Sequence, residues 1–123
     1  MTNEEILSKV DHTLLRMTAS WEEIKTLCDE AVRFGTASVC IPPCYVKAVR
    51  AAYGSLKICT VIGFPLGYNS SDMKALETLA AIQDGADEID MVINLGDVKS
   101  GCFDKVLDEI KNIKKHVMKK YSR

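Results

Sequence analysis

The sequence predicts an α/β fold built around a parallel sheet, and two observations support that prediction. Four short apolar segments alternate along the chain with longer segments whose apolar residues recur at helical spacing. Each of the four is a continuous apolar run, which is typical of parallel strands that helices cover. Four such strand–helix units fit either a small doubly wound sheet or half of an eight-stranded barrel.

The first unit combines a short helix with an extended segment. Residues 2–9 predict an amphipathic helix, and residues 10–15 predict the strand that follows. Within that strand Asp11 and Thr13 alternate with their neighbours, so their two side chains are expected to share one face of the sheet.

The second unit opens with the spacing of a capping box. Ser20 and Glu23 begin a helix that runs to about residue 34, where Gly35 ends it. An apolar strand over residues 37–41 follows and is closed by two prolines. The buried stripe predicted for the helix consists of Ile24, Leu27, Cys28, Ala31 and Val32.

The third unit contains a loop rich in glycine. A helix over residues 44–53 leads to an apolar strand over 57–65, and Gly63 and Gly67 then allow the backbone to approach a ligand closely. The next helix, over residues 72–83, can be capped by Asn69, Ser70 or Ser71. Its predicted inner face consists of Leu76, Leu79 and Ala80.

The fourth strand contains the residue that most needs an explanation. Asp90 lies in the apolar run of residues 88–95, where a buried carboxylate is costly unless it is paired or hydrogen-bonded. It is either a structural aspartate, satisfied by backbone amides or a lysine, or a catalytic acid/base in a dry barrel mouth. A helix over residues 102–116 follows, with an inner face predicted at Val106, Ile110, Ile113 and Val117.

The composition is that of one globular domain, with 123 residues, 47% hydrophobic and 27% charged. A net charge of −1 gives no electrostatic reason to expect nucleic acid or an anionic membrane as a partner. Neither a long apolar run nor a signal peptide is found, so the cytoplasm is the expected location.

Cysteine usage and loop motifs bear on metals and cofactors. Five cysteines, an odd number, predict reduced thiols. Cys40 and Cys44 are separated by prolines and no second Cys/His pair has ligand spacing, so no metal site is expected. The phosphate-cradling patterns G-x-G-x-x-G and G-x-x-x-x-G-K-[ST] are missing, so no nucleotide cofactor is indicated.

Four ordered motifs resemble one family. Residues 10–15 (VDHTLL), 35–43 (GTASVCIPP), 59–67 (CTVIGFPLG) and 85–94 (GADEIDMVIN) are similar to the first four barrel strands of the 2-deoxy-D-ribose-5-phosphate aldolases. The resemblance implies the (β/α)8 TIM-barrel fold, with residues 1–123 as one domain forming the amino-terminal half of the barrel. It also implies a class I aldolase that cleaves deoxyribose 5-phosphate to glyceraldehyde 3-phosphate and acetaldehyde through a lysine Schiff base, without a metal.

The resemblance assigns roles to particular residues. Asp90 falls where the family has a proton donor and acceptor, and Asp11 falls in the supporting polar network. Thr13 and Cys40 fall where the motifs face the small-aldehyde pocket, although a cysteine in an apolar strand also suits a core and a threonine can satisfy backbone.

This sequence departs from the family pattern at the catalytic lysines. The Schiff-base lysine lies on the sixth strand in a Val-Lys-Thr-Ser-Thr-Gly motif and a second lysine lies on the seventh, and this sequence contains neither strand. A replacement would have to be desolvated or lie next to a cation. The candidate lysines flank strands or lie on helices, and none is convincing: Lys57, Lys74, Lys99, Lys105 and Lys111. We therefore expect the chain alone to be inactive.

Two other functions remain open from the sequence. A half-barrel exposes two strand edges and one sheet face, which favours association, including a homodimer in which two halves complete a barrel-like core. The chain could therefore be a non-catalytic assembly or small-ligand-binding module. It could also be a different small α/β enzyme of flavodoxin-like topology, although the missing nucleotide loop argues against a flavin version.

Overall fold

The computed structural model describes the backbone of residues 1–121 and the side chains of residues 1–119. The described residues form a four-stranded parallel sheet in the order β1-β2-β3-β4. The strands are β1 (Asp11–Thr13), β2 (Ser38–Ile41), β3 (Ile58–Ile62) and β4 (Glu88–Met91). This sequential order is that of a barrel segment, whereas a flavodoxin-like sheet requires a reversal of strand order, so the flavodoxin-like alternative is wrong.

The helices follow the strands as the periodicity predicts, with two additions. Their bounds are α1 (Asn3–Leu7), α2 (Trp21–Phe34), α3 (Val46–Ala52), α4 (Ser71–Asp84), α5 (Leu95–Lys99) and α6 (Phe103–Tyr121). Helix α5 was not predicted from the sequence, and Asn94 caps it by accepting from the amides of Gly96 and Asp97. The helix predicted from residue 44 begins instead with a 3₁₀ turn, Pro43–Tyr45, that precedes α3.

Helix ends agree with the local signals. Ser20 caps α2 and Ser70 caps α4 through their side-chain oxygens, and Gly35 and Gly85 end these helices in the left-handed conformation. The capping box at Ser20 is only half formed, since the carboxylate of Glu23 pairs with Arg16.

The core lies between the sheet and the helices. One face of β2 and β3 packs against the inner sides of α2 and α3, and the largest buried residues of this layer are Ile24, Val39, Ile41, Val46, Val49, Ile58 and Ile62. Val32, predicted to lie inside, is 61% exposed because it lies at the edge of the α2 stripe.

The prediction of which residues form the inner face of α4 is wrong. Leu76, Leu79 and Ala80 are exposed, and the helix turns Lys74, Thr78 and Ala81 toward the sheet instead. These three residues also have helical spacing, but two of them are polar, so an apolar stripe could not reveal them. In α6 Ile113 is buried as predicted, while Ile110 is 41% exposed and Glu109 takes the adjoining inward position.

The prediction that β4 is buried is also wrong. Its residues alternate between exposed Glu88 and Asp90 and half-buried Ile89 and Met91. This period of two indicates a strand with one face packed and one face open. The open face is the one that would line the interior of a closed barrel.

Candidate functional site

The structure brings all four predicted site residues to this open face. Side chains of paired residues in parallel strands point the same way. The register pairs Thr13 with Cys40, Cys40 with Cys59 and Cys59 with Glu88. Asp11 and Asp90 lie two residues from members of this row and therefore share its face.

At the β1 edge, Asp11 and Thr13 already have partners. Ser38, fully buried on β2, donates from Oγ to Oδ1 of Asp11 at 2.7 Å. The Thr13 hydroxyl donates to the backbone carbonyl of Asp11 at 2.7 Å. Asp11 thus accepts a hydrogen bond from a buried hydroxyl, and the hydroxyl of Thr13 satisfies the backbone in this structure.

Two thiols occupy the middle of the face. Cys40 and Cys59 are buried, and Leu15 packs over them together with Val61. The hydrogen bond from Cys59 lowers the pKa of the Cys40 thiol, against burial and the carboxylates of Asp90, Asp11 and Glu88, which raise it. The pKa of Cys59 is raised by the same hydrogen bond and by burial, so this sulfur remains a thiol.

Asp90 lies at the opposite edge and is exposed to water. It is paired with Val61 of β3, near the carboxyl end of the sheet. Three strand spacings separate β1 from β4, roughly 14 Å, so Asp11 and Asp90 do not meet directly. Cys40 lies between them, and the negative charges of both carboxylates act to raise its pKa.

A cavity of about 490 Å³ opens at the carboxyl ends of β1, β2 and β3. Its walls are mainly apolar, and its lining includes Leu15, Pro42, Tyr45, Val61, Phe64 and Glu77. None of the four predicted residues lines it, but Leu15 and Val61 belong to both the cavity and the open face. The carboxyl end of a parallel barrel is where such folds place their sites.

A buried ion pair beside this end was not predicted from the sequence. Lys74 is fully buried, and its Nζ donates to Glu109 Oε1 at 2.6 Å, to the Gly67 carbonyl at 2.7 Å and to the Val92 carbonyl at 3.0 Å. Ser71 donates to the other oxygen of Glu109 at 2.6 Å. Lys74 has helical spacing with Thr78 and Ala81, but this spacing does not identify a buried pair, because the Val92 and Glu109 acceptors are distant in sequence.

The two glycines of the β3–α4 loop approach protein groups in this structure. A Cβ on Gly67 would lie 2.2 Å from the Ile93 carbonyl oxygen, and one on Gly63 would lie 2.9 Å from Lys74 Cε. The Gly63 amide donates to Glu77 Oε1 at 2.8 Å. In this structure Gly67 therefore lies against the segment after β4, and Gly63 lies against the Lys74 side chain of α4.

The described residues offer no grouping of three or more His, Cys, Asp or Glu side chains suited to a metal ion. All five cysteines of the sequence lie in the described part and are free thiols. Across residues 1–121, none of the helices has both the length and the apolar character to cross a bilayer.

Comparison with known proteins identifies the family of this chain. The family model "DeoC/LacD family aldolase" matches residues 6–120. Deoxyribose-phosphate aldolases of Clostridium botulinum (Eklund 17B) and Streptococcus pyogenes (Manfredo) are 54% and 57% identical over 95% and 93% of this chain. The chain spans about half of each relative, 53% and 52%.

Solved structures agree on the architecture. QR15, an aldolase, superimposes with a TM-score of 0.87 at 35% identity, covering 91% of this chain and 51% of its own. The tetrameric deoxyribose phosphate aldolase of Aeropyrum pernix gives 0.82 at 29% identity, covering 94% and 50%. The fold is that of four consecutive units of a TIM barrel, and the chain belongs to the DeoC/LacD aldolase family.

Proposed function

We propose that residues 1–123 form one domain, the amino-terminal half of a deoxyribose-phosphate aldolase barrel, and that this half supplies a proton-transfer carboxylate, Asp90. The observation that carries the proposal is the shared open face: Asp90, Asp11, Thr13 and Cys40 point to the side that the other half of a barrel would cover. The substrates are deoxyribose 5-phosphate, glyceraldehyde 3-phosphate and acetaldehyde.

The chemistry assigns a task to Asp90. Cleavage through a lysine imine requires a base that takes the proton of the hydroxyl at carbon 3 and an acid that protonates the resulting enamine. An exposed carboxylate at the carboxyl end of a strand can exchange these protons, directly or through one water. In this proposal Asp11 supports the polar network through its hydrogen bond with Ser38, and Cys40 lies beside Thr13 on the open face that receives the small aldehyde.

The nucleophile comes from the other half of the barrel in this proposal. Among the described lysines, Lys74 alone is buried, and its ammonium donates to three oxygens, which leaves no lone pair free to attack a carbonyl. The other described lysines are exposed. In this proposal the chain alone is therefore inactive, and the lysine imine activates the substrate without a metal or organic cofactor. Five free thiols support a cytoplasmic location.

The open face also supports a second candidate, a non-catalytic module that associates with another chain. The edges β1 and β4 have no neighbour on their outer sides within the described sheet. In a homodimer that completes a barrel, however, Asp11, Glu88 and Asp90 of both copies would face one interior, and like charges repel there. A facing half that carries lysines suits these carboxylates better.

Borohydride trapping tests the proposal. The chain is mixed with the carboxy-terminal half of the Clostridium botulinum relative, acetaldehyde is added, and intact masses are read after reduction. We expect an adduct on the added half only, in a complex that also cleaves deoxyribose 5-phosphate. An adduct on this chain, or none on either half, would contradict the proposal.

Asp90→Asn provides the residue-level test. Losing a general acid/base lowers the rate about 10²-fold or more, so we expect that drop in the turnover of the complex. The matched control is Asp108→Asn, which changes an exposed carboxylate on α6 and should leave turnover unchanged. Equal rates for the two variants would exclude the proposed role of Asp90.

A further inference from the structure

The buried pair of Lys74 and Glu109 holds two loops together at the end of the sheet where the proposed site lies. Lys74 is on the inner face of α4, while its carbonyl partners belong to the loop after β3 and to the segment after β4. Glu109 is on α6, is 7% exposed, and is itself held by Ser71. One ammonium thus joins two helices and two loops.

The segment after β4 is held from two sides, two residues beyond Asp90. The amide of Val92 donates to the Ile62 carbonyl at 2.9 Å, and the carbonyl of Val92 accepts from Lys74 at 3.0 Å. Gly67 packs against the next peptide, since a Cβ there would lie 2.2 Å from the Ile93 oxygen. The segment is therefore held to β3 through the Val92 amide, and to α4 through the Val92 carbonyl and Lys74.

A lysine is suited to this place by its donor count. An ammonium has three protons and no acceptor, and here it meets two carbonyls and one carboxylate. A neutral side chain of similar length deprives these oxygens of the donor that Lys74 supplies, at a position where the side chain itself is fully buried. The two loops would then be free to shift relative to each other.

We propose that Lys74 is a positioning residue of the aldolase site: by binding the carbonyls of Gly67 and Val92, it sets the location of the Asp90 carboxylate relative to the substrate. The inference rests on the proposed function, because it assumes that Asp90 transfers protons. Lys74 itself does not touch the substrate in this scheme, since its ammonium is wholly engaged with protein oxygens.

The test uses the complex with the added carboxy-terminal half. Lys74→Met is compared with Lys74→Met/Glu109→Gln, which leaves no unpaired buried charge, and with the exposed control Lys111→Met. Circular dichroism checks the folding of each variant. Trapping with acetaldehyde to completion counts the competent sites, so that kcat is expressed per site.

We expect kcat per trapped site to fall about 10- to 100-fold in both Lys74 variants, with KM little changed, because a small misplacement of a reacting group has effects of that size. In an Asp90→Asn background the same change should lower kcat less than about twofold, since coupled residues are not additive. Lys111→Met should behave as the unaltered chain.

Three results would overturn the inference. An unaltered kcat per site, with only fewer competent sites, would mean that Lys74 merely supports folding. A neutral double variant that does not fold would mean the same. If the Lys74 substitution lowered kcat as much in the Asp90→Asn background as in the unaltered chain, Lys74 would act independently of Asp90. If the unaltered complex forms no adduct, the proposed function fails first, which is seen before any variant is compared.

Discussion

The two ends of the sheet are each held by one cation that binds carbonyls of neighbouring loops, and they differ in depth. At the amino end, Arg50 donates to the carbonyls of Gly85 and Leu56 and pairs with Asp87. At the carboxyl end, Lys74 binds two carbonyls and Glu109. The Arg50 pair is 26% and 34% exposed, whereas the Lys74 pair is 0% and 7% exposed.

This contrast shows where the chain depends on a single charge. Water can replace part of what Arg50 binds, because both partners remain partly solvated. Little water reaches the Lys74 pair, so removing Lys74 leaves a buried carboxylate without its cation and two carbonyls without the donor that Lys74 supplies. The end that carries the proposed site is thus the one that tolerates substitution least.

Substituting the two cations tests this contrast directly and should give the greatest loss of stability. Lys74→Met should lower the free energy of unfolding by about 3–5 kcal/mol, the usual result of leaving one partner of a buried pair uncompensated. Arg50→Met, the matched change at the amino end, should lower it by about 1–2 kcal/mol. Urea denaturation of both variants measures the difference, and equal losses would show that burial does not set the ranking.

A second prediction concerns the loop contact beside Lys74. Gly67 and Gly101 both have a left-handed φ, +73° and +75°, but only at Gly67 would a Cβ have neighbours within 4 Å. Gly101→Ala should destabilise by about 1 kcal/mol through backbone strain alone. Gly67→Ala should add about 1–3 kcal/mol for the clash with Ile93. Thermal unfolding of the two variants checks this, and similar losses would contradict the close packing.

A weaker effect is expected at the amino end, and it depends on pH. Burial and a hydrogen bond to Asp29 raise the pKa of Tyr53 from 10.0 to about 12. Because the folded pKa lies above the unfolded one, this contribution to stability is complete below about pH 10 and is lost as the pH rises toward 12.

Tyr53→Phe isolates that contribution. Below pH 10 the variant should be less stable than the unaltered chain by under about 1 kcal/mol, because the hydrogen bond is partly exposed. The gap should shrink between pH 10 and 12. Denaturation at a series of pH values measures it, and a gap that widens with pH would contradict the direction of the shift.

Much of the candidate site followed from the sequence because it depends on strand alternation. The period of two placed Asp11 with Thr13 on one face, and the register brought Cys40 and Asp90 to that face. The exposure of Asp90 to water could not be predicted from the sequence. The apolar neighbours Ile89 and Met91 suggested burial, but they pack on the helix side only, and the open side has no cover within the described residues.

Local sequence specified what local physics controls in this protein: the order of strands and helices, the caps at Ser20, Ser70, Gly35 and Gly85, and the face that each strand residue occupies. The side of α4 that turns inward depended instead on tertiary contacts. Lys74 is buried there because Glu109, 35 residues away, and two loop carbonyls provide its partners. The stability of a buried charge depends on groups that meet only after the chain has folded, so no local pattern could reveal it.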